Sequence, residues 1–186
     1  MAYGEAYLWS FRAKVIIGAM DILWAPWRSH YVENVDNIEG CFLCHAVAQG
    51  EDLWRDNLVL HKSSHSFIIL NKYPYNSGHL MIVPLNHTGN YMELDESTII
   101  DMDKLLRLSL RALERAFKPH GFNIGYNLGR PAGAGLETHI HMHVVPRWNG
   151  DTNFMPVVAK TKVISQDLYA TYDRLKESLE HILSEG

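Results

Sequence analysis

Residues 139–143 read His-Ile-His-Met-His, followed directly by Val-Val-Pro-Arg, so imidazoles alternate strictly with apolar side chains. Successive side chains on a β-strand point to opposite faces. The pattern therefore predicts a strand carrying His139, His141 and His143 on one face, about 7 Å apart. A helix, with its period near 3.6, would not gather them in this way. Histidine is also the side chain most readily poised near neutral pH as nucleophile, proton carrier or metal ligand. Three on one strand face predict a chemical site and require a sheet to hold it.

The rest of the chain supplies that sheet. Residues 58–61 and 66–71 read as strands, and residues 73–78 are dense in turn formers. A third strand, 79–83, is expected to stop at Pro84. Asp95 is positioned to cap a helix whose first turn carries Glu96. Ile99, Met102, Leu106, Leu110, Leu113 and Phe117 form its apolar stripe, and Pro119 and Gly121 end it. Residues 122–128 make a further strand, and a loop at 129–135 leads into the histidine strand. A C-terminal amphipathic helix follows through Leu168, Tyr172, Leu175, Leu179 and Ile182, with Ser165 as its expected cap. Short turns between the early strands favour antiparallel pairing. The expectation is an α+β domain with about five antiparallel strands, a long central helix and a C-terminal helix.

The 186 residues suit one domain. Residues 21–160 form its expected body, with residues 161–186 as a helix packed on it. Residues 1–20 lack the basic start and clean apolar core of a secretory signal. They are read as an extension, with Met20 as an alternative start, which a mass spectrum of the native N-terminus would test. The aromatic arm that follows contains Trp24, Trp27 and Tyr31. A net charge of -4 gives no overall basic field for nucleic acid or acidic membranes. No apolar run approaches the roughly 20 residues of a membrane span. A cytoplasmic protein is expected, in which Cys41 and Cys44 are half of a zinc site or a redox pair rather than part of a disulfide framework.

Each of these features has a plainer reading. A single strand histidine is usually a solvated polar residue, and the chain has 11 histidines. Alternation of three, followed by Pro-Arg-Trp, favours a site. Glycine loops are more often turns than anion cradles, and Phe42 and Leu43 fit a core as well as an adenine face.

The run HIHMHVVPRW, together with GHLMIVPLNH at 78–87 and the CFLC pair, resembles the histidine triad (HIT) superfamily of nucleotide hydrolases and transferases. The likeness covers residues 23–160. LWAPWRSHYV and PRWNGDTNFMPV are similar to the branch that contains bacterial diadenosine polyphosphate phosphorylases.

The resemblance implies that His141 is a nucleophile forming a covalent nucleotidyl-histidine. His143 and His79 would serve the phosphate oxygens or the leaving group. Water, inorganic phosphate or a sugar phosphate as second acceptor would give a hydrolase, a phosphorylase or a transferase. Family members carry a glutamine and a serine shortly before the triad, whereas this chain has Gly133, Ala134, Gly135, Leu136, Glu137 and Thr138. The phosphate grip then falls to backbone N–H groups around Gly133 and Gly135, with Arg130 and Asn127 assisting. The added room favours phosphate as acceptor. Asn71 stands where relatives have an acidic ribose ligand, and an amide can also bond a diol.

Cys41, Cys44, His87 and His139 are the implied ligands of a structural zinc, which would remove His139 from phosphate chemistry. The expected partners are a purine nucleotide or dinucleotide, inorganic phosphate and a second copy of the chain, as a homodimer or an assembly of dimers. Three alternatives stand beside the phosphorylase. One is a hydrolase of dinucleotides or adenosine phosphoramidates. Another is a galactose-1-phosphate uridylyltransferase-like enzyme, disfavoured by chain length and the third histidine. The last is a non-catalytic nucleotide-binding module.

Overall fold

The alternating apolar segments pair into one sheet in this computed structural model, which describes residues 40–159 and 163–185. Its strands are β1 (Val59–Lys62), β2 (Ser66–Leu70), β3 (Leu80–Pro84), β4 (Gly121–Tyr126) and β5 (Met142–Arg147). Their order is β1-β2-β3-β5-β4, with every neighbouring pair antiparallel. The helices are α1 (Phe42–Ala48), α2 (Glu96–Phe117), the short α3 (Met155–Ala159) and α4 (Leu168–Ser184). β2 and β3 are buried along their whole lengths, as strands at the centre of a sheet covered by α2. The expected α+β architecture is present. Among the described residues, no helix is long and apolar enough to cross a membrane. The extension and the aromatic arm lie outside the described residues.

Asp95 caps α2 as expected, its carboxylate accepting from the Thr98 N–H at 2.7 Å. The buried face differs from the predicted stripe. Met102, Leu105, Ala112, Leu113 and Ala116 face inward with Thr98 and Ser109, while Ile99 is 38% exposed. A stripe built from large apolar residues misses the small ones that admit a close neighbour. That neighbour is α4, whose Ser178 hydroxyl donates to the Ala112 carbonyl at 3.1 Å. α4 also reaches β1, with the Tyr172 hydroxyl donating to Val59 O at 2.8 Å. Its cap is Asp167, which accepts from the Ala170 N–H at 2.9 Å, not Ser165. A carboxylate two residues further along lies within reach of the first-turn N–H groups, and the serine does not. Pro84 pairs with Ser66 as the last residue of β3 rather than lying beyond it. Proline is tolerated at a strand end, where its missing N–H breaks no interior ladder bond.

The histidine run requires the largest correction. β5 begins at Met142, so only His143 of the three histidines lies in the ladder, opposite Met81 of β3 and Gly125 of β4. His139 and His141 belong to the approach to the strand. That approach is tied elsewhere, by the Ile140 N–H donating to Thr88 O at 2.7 Å. Gly89 permits the crossing, because a Cβ there would lie 2.0 Å from the Glu137 carbonyl oxygen.

Candidate functional site

Two clusters grow from this approach segment, and they face different parts of the molecule. In the first, Cys41 sits at the N-cap of α1 and Cys44 lies within it. His87 comes from the loop after β3, and His139 precedes β5. The His139 Nδ1 is 3.2 Å from Cys41 Sγ, 3.4 Å from Cys44 Sγ and 3.3 Å from His87 Nδ1. The His87 Nδ1 is 3.4 Å from Cys44 Sγ. All four donor atoms lie within 4.8 Å of one another. Zinc bonds of about 2.3 Å to sulfur and 2.0 Å to nitrogen place tetrahedral ligand atoms about 3.3–3.8 Å apart, so the set fits such an ion.

Three features suit these residues to a metal. His139 is fully buried, and its Nε2–H donates to the Pro84 carbonyl at 2.9 Å, which leaves the Nδ1 lone pair on the cluster. Burial also holds the imidazole neutral, with its pKa below the usual value. The Cys44 thiol is pushed up to about 11, first by burial and then by Cys41, so an ion is needed to draw out the thiolate.

The second cluster contains His79, His141 and His143. A cavity of about 890 Å³ is lined by His141, His143, Asn71, Asn127, Gly133 and Gly135, among others. This is large enough for a nucleotide-sized ligand. The tautomers follow from groups that can act in only one way. The Tyr75 backbone N–H donates to His79 Nδ1 at 3.0 Å. Burial and the neighbouring imidazoles push His79 down to about 3, so it is neutral at pH 7 with its proton on Nε2. That proton is donated to His143 Nδ1 at 3.0 Å. His143, pushed down to about 4 by burial and by His141, must then carry its own proton on Nε2. The Asn127 amide lies 3.3 Å from this nitrogen, and its oxygen is the half that can accept.

His141 is set the opposite way round. Its Nδ1–H donates to the His139 carbonyl at 2.9 Å, so the lone pair is on Nε2. Burial lowers its pKa from the ordinary value, against the pull of that carbonyl. The cavity thus holds an unprotonated ring nitrogen beside an N–H donor, with the two ring centroids 4.9 Å apart. A nucleophile next to an oxyanion donor is an arrangement suited to attack at phosphorus.

The other expected residues divide. His79 is fully buried behind His143 and does not line the cavity, so it meets the cavity only through its bond to His143. Asn71 lines the cavity, but its Oδ1 accepts from the Tyr73 N–H at 2.8 Å and its Nδ2–H donates to Met81 Sδ at 3.6 Å. Gly133 takes a left-handed φ of 95° that a side chain would strain, ending the turn before the glycine wall. Arg130 is not part of the lining. It is exposed and paired with Glu137 at 3.1 Å. Phe42 lines the cavity, whereas Leu43 is wholly buried in the core.

Sequence reasoning missed Lys72, which among the described residues is the one Lys or Arg side chain in the lining. Its place next to Asn71 was the available signal. It also missed Tyr75, which acts through its main chain and leaves no side-chain signature, and Gln166 and Thr171 from the C-terminal segment.

Comparison with known proteins agrees with this geometry. The HIT domain family matches residues 55–150. A Mycobacterium tuberculosis protein named AP-4-A phosphorylase is 34% identical over 156 residues, covering 80% of this chain and 79% of its own. The crystal structure of a hypothetical histidine triad nucleotide-binding protein from Sulfolobus tokodaii superposes with a TM-score of 0.60 at 27% identity. That likeness covers 76% of this chain and 93% of the other. A structure described as a Zn-bound histidine triad family protein from Mycobacterium smegmatis has a TM-score of 0.62 at 24% identity, covering 79% and 98%.

Proposed function

The chain belongs to the HIT family, and from that premise we propose that it cleaves diadenosine polyphosphates by nucleotidyl transfer, with inorganic phosphate as second acceptor. The observation that carries the reading is the 2.9 Å bond from His141 Nδ1–H to the His139 carbonyl, which leaves Nε2 free in a nucleotide-sized cavity. The similarity to a protein named AP-4-A phosphorylase supports the choice of substrate.

In the first step the Nε2 lone pair attacks an α-phosphorus of diadenosine tetraphosphate. The bond to the bridging oxygen breaks, and ATP leaves with that electron pair. His141 is then nucleotidylated. A phosphate oxygen next attacks the same phosphorus, the P–N bond breaks with its electrons returning to Nε2, and ADP departs. On substrate binding His143 turns its Nε2–H from the Asn127 amide to a non-bridging oxygen, and the wall containing Gly133 and Gly135 gives room for the incoming phosphate. ATP is a good leaving group, so little acid assistance is required.

Cys41, Cys44, His87 and His139 form a structural zinc site in this reading. Four protein ligands leave no open position for water, so the ion supplies cross-linking rather than a nucleophile. Incubating the protein with diadenosine tetraphosphate, with and without phosphate, tests the function. ADP plus ATP formed only when phosphate is present is the expected result. AMP plus ATP, or two ADP without phosphate, would make the enzyme a hydrolase.

A further inference from the structure

We propose that Gln166 reads the base of the bound nucleotide, its side-chain amide pairing with the 6-amino group of adenine and a neighbouring ring nitrogen. This deepens the nucleotidyl-transfer reading above and rests on it for the position of the phosphate. With an α-phosphate at His141 and His143, the nucleoside has to lie along the cavity away from those rings. The lining crosses the sheet in that direction. It passes from His143 on β5 to Met81 on β3, then to the end of β2 at Leu70, and finishes at Phe42 of α1 and Leu168 of α4. Both of these helices pack on β1. Neighbouring strands lie about 4.8 Å apart, so β1 is about 14 Å from β5, which leaves room for a ribose and a base beyond the phosphate.

The far end is closed by the segment that enters α4. Ile164 and Leu168 join Phe42 there as apolar surface for a flat ring, and Gln166 and Thr171 are the segment's two polar contributions. Its position is fixed by the helix it leads into. The buried Tyr172 hydroxyl donates to Val59 O at 2.8 Å, and the Asp167 carboxylate caps the first turn. The Thr171 hydroxyl is committed, since it donates to Asp167 O at 2.7 Å. Gln166 makes no hydrogen bond to any described residue, so its carbonyl and both amide N–H groups are open to a ligand. Residues 164–171 also lie beyond the 55–150 stretch matched by the HIT domain family, so that match assigns them no role.

The chemistry of the amide selects the base. The 6-amino group of adenine is a donor, and the ring nitrogen beside it on either edge is an acceptor. A primary amide meets that pair with two bonds, accepting at its oxygen and donating from its N–H. Neighbouring polar side chains are less suited. The Asn71 amide is engaged by the Tyr73 N–H and by Met81 Sδ, and Lys72 offers donors only. Gln166 is thus a specificity-determining residue, remote from the reacting phosphorus.

The test is a double-mutant cycle measured by titration calorimetry on the full chain. AMP and purine riboside 5′-monophosphate, which lacks the 6-amino group, are each titrated into the parent and into Gln166→Ala. Gln166 is exposed, so the substitution leaves the core intact. We expect AMP to lose about tenfold or more in affinity and the analogue to change by less than about twofold. Equal losses for the two ligands would reduce Gln166 to a packing residue and overturn the proposal, as would an AMP affinity that does not change. A parent that fails to bind AMP removes the base site together with the nucleotide reading. The product assay with and without phosphate is independent of this cycle. Its failure with the coupling intact would reject the phosphorylase and keep Gln166 as the base reader.

Discussion

The two histidine clusters present the same ring in opposite ways, and in each a main-chain carbonyl decides which nitrogen is left with its lone pair. In the metal corner the Pro84 carbonyl takes the Nε2–H of His139 and leaves Nδ1 to face the ligands. In the reaction corner the His139 carbonyl takes the Nδ1–H of His141 and leaves Nε2 to face the cavity. Burial lowers the pKa of both rings, so neither duty is set by charge. In the proposed reading, what separates a ligand from a nucleophile is the direction of one backbone hydrogen bond.

The sharpest way to break this contrast is to remove one ring from each corner. His141→Ala should abolish turnover, by on the order of 10⁴-fold or more, because a lost nucleophile has no local substitute. Its thermal unfolding should stay close to that of the parent, since the ring is bonded only at the cavity edge. His139→Ala should instead lose zinc and stability together. Structural zinc contributes folding free energy directly, and the change leaves the Pro84 carbonyl without its partner. Paired melting curves and product assays decide the matter. Equal effects of the two substitutions on stability would erase the distinction between the corners.

A smaller effect follows from the depressed pKa values within the reaction corner. His79 is held down to about 3 and His143 to about 4, chiefly by burial, against an unfolded value near 6.5. Between about pH 4 and 6.5 the unfolded chain therefore binds protons that these rings refuse. Stability rises with pH through that window and is lost as pH falls. Each such ring contributes a slope of at most about 1.4 kcal/mol per pH unit. His143→Gln should flatten the stability–pH curve relative to the parent, measured by urea unfolding from pH 4.5 to 7. An unchanged slope would mean that His143 is not held neutral by its surroundings.

The split between the corners was only partly legible in the sequence. Alternation in residues 139–143 pointed to the segment that supplies both clusters, but it implied one strand with three equivalent rings. Side-chain period carries no information about where a ladder begins. The start of β5 at Met142 depends on the crossing at Gly89 and the bond from Ile140 to Thr88, both of which are tertiary. The grouping of Cys41, Cys44, His87 and His139 was legible because cysteine and histidine identities survive any register. The tautomer of His143 was not, since it descends from the Tyr75 backbone N–H through His79, and a main-chain donor leaves no mark on residue identity. The long helix was found from Asp95 and its apolar repeat, while its buried face was misjudged where Ser109 and Ala112 admit α4.

The smallest expected effect concerns Arg130, which lies outside both corners. A cation near a glycine wall reads from sequence as a phosphate ligand, yet its side chain is 86% exposed and engaged with Glu137. An exposed ion pair contributes about 0–1 kcal/mol, and its attraction is screened further by salt. Arg130→Ala should therefore shift stability by less than about 1 kcal/mol and leave the KM for diadenosine tetraphosphate within about twofold of the parent. Lys72→Met, at the one lining cation among the described residues, should raise that KM by more and flatten its dependence on ionic strength. Steady-state kinetics at two salt concentrations separates the pair. If Arg130→Ala proved the more damaging, the loop containing Gly133 would have to swing its arginine into the cavity when substrate binds.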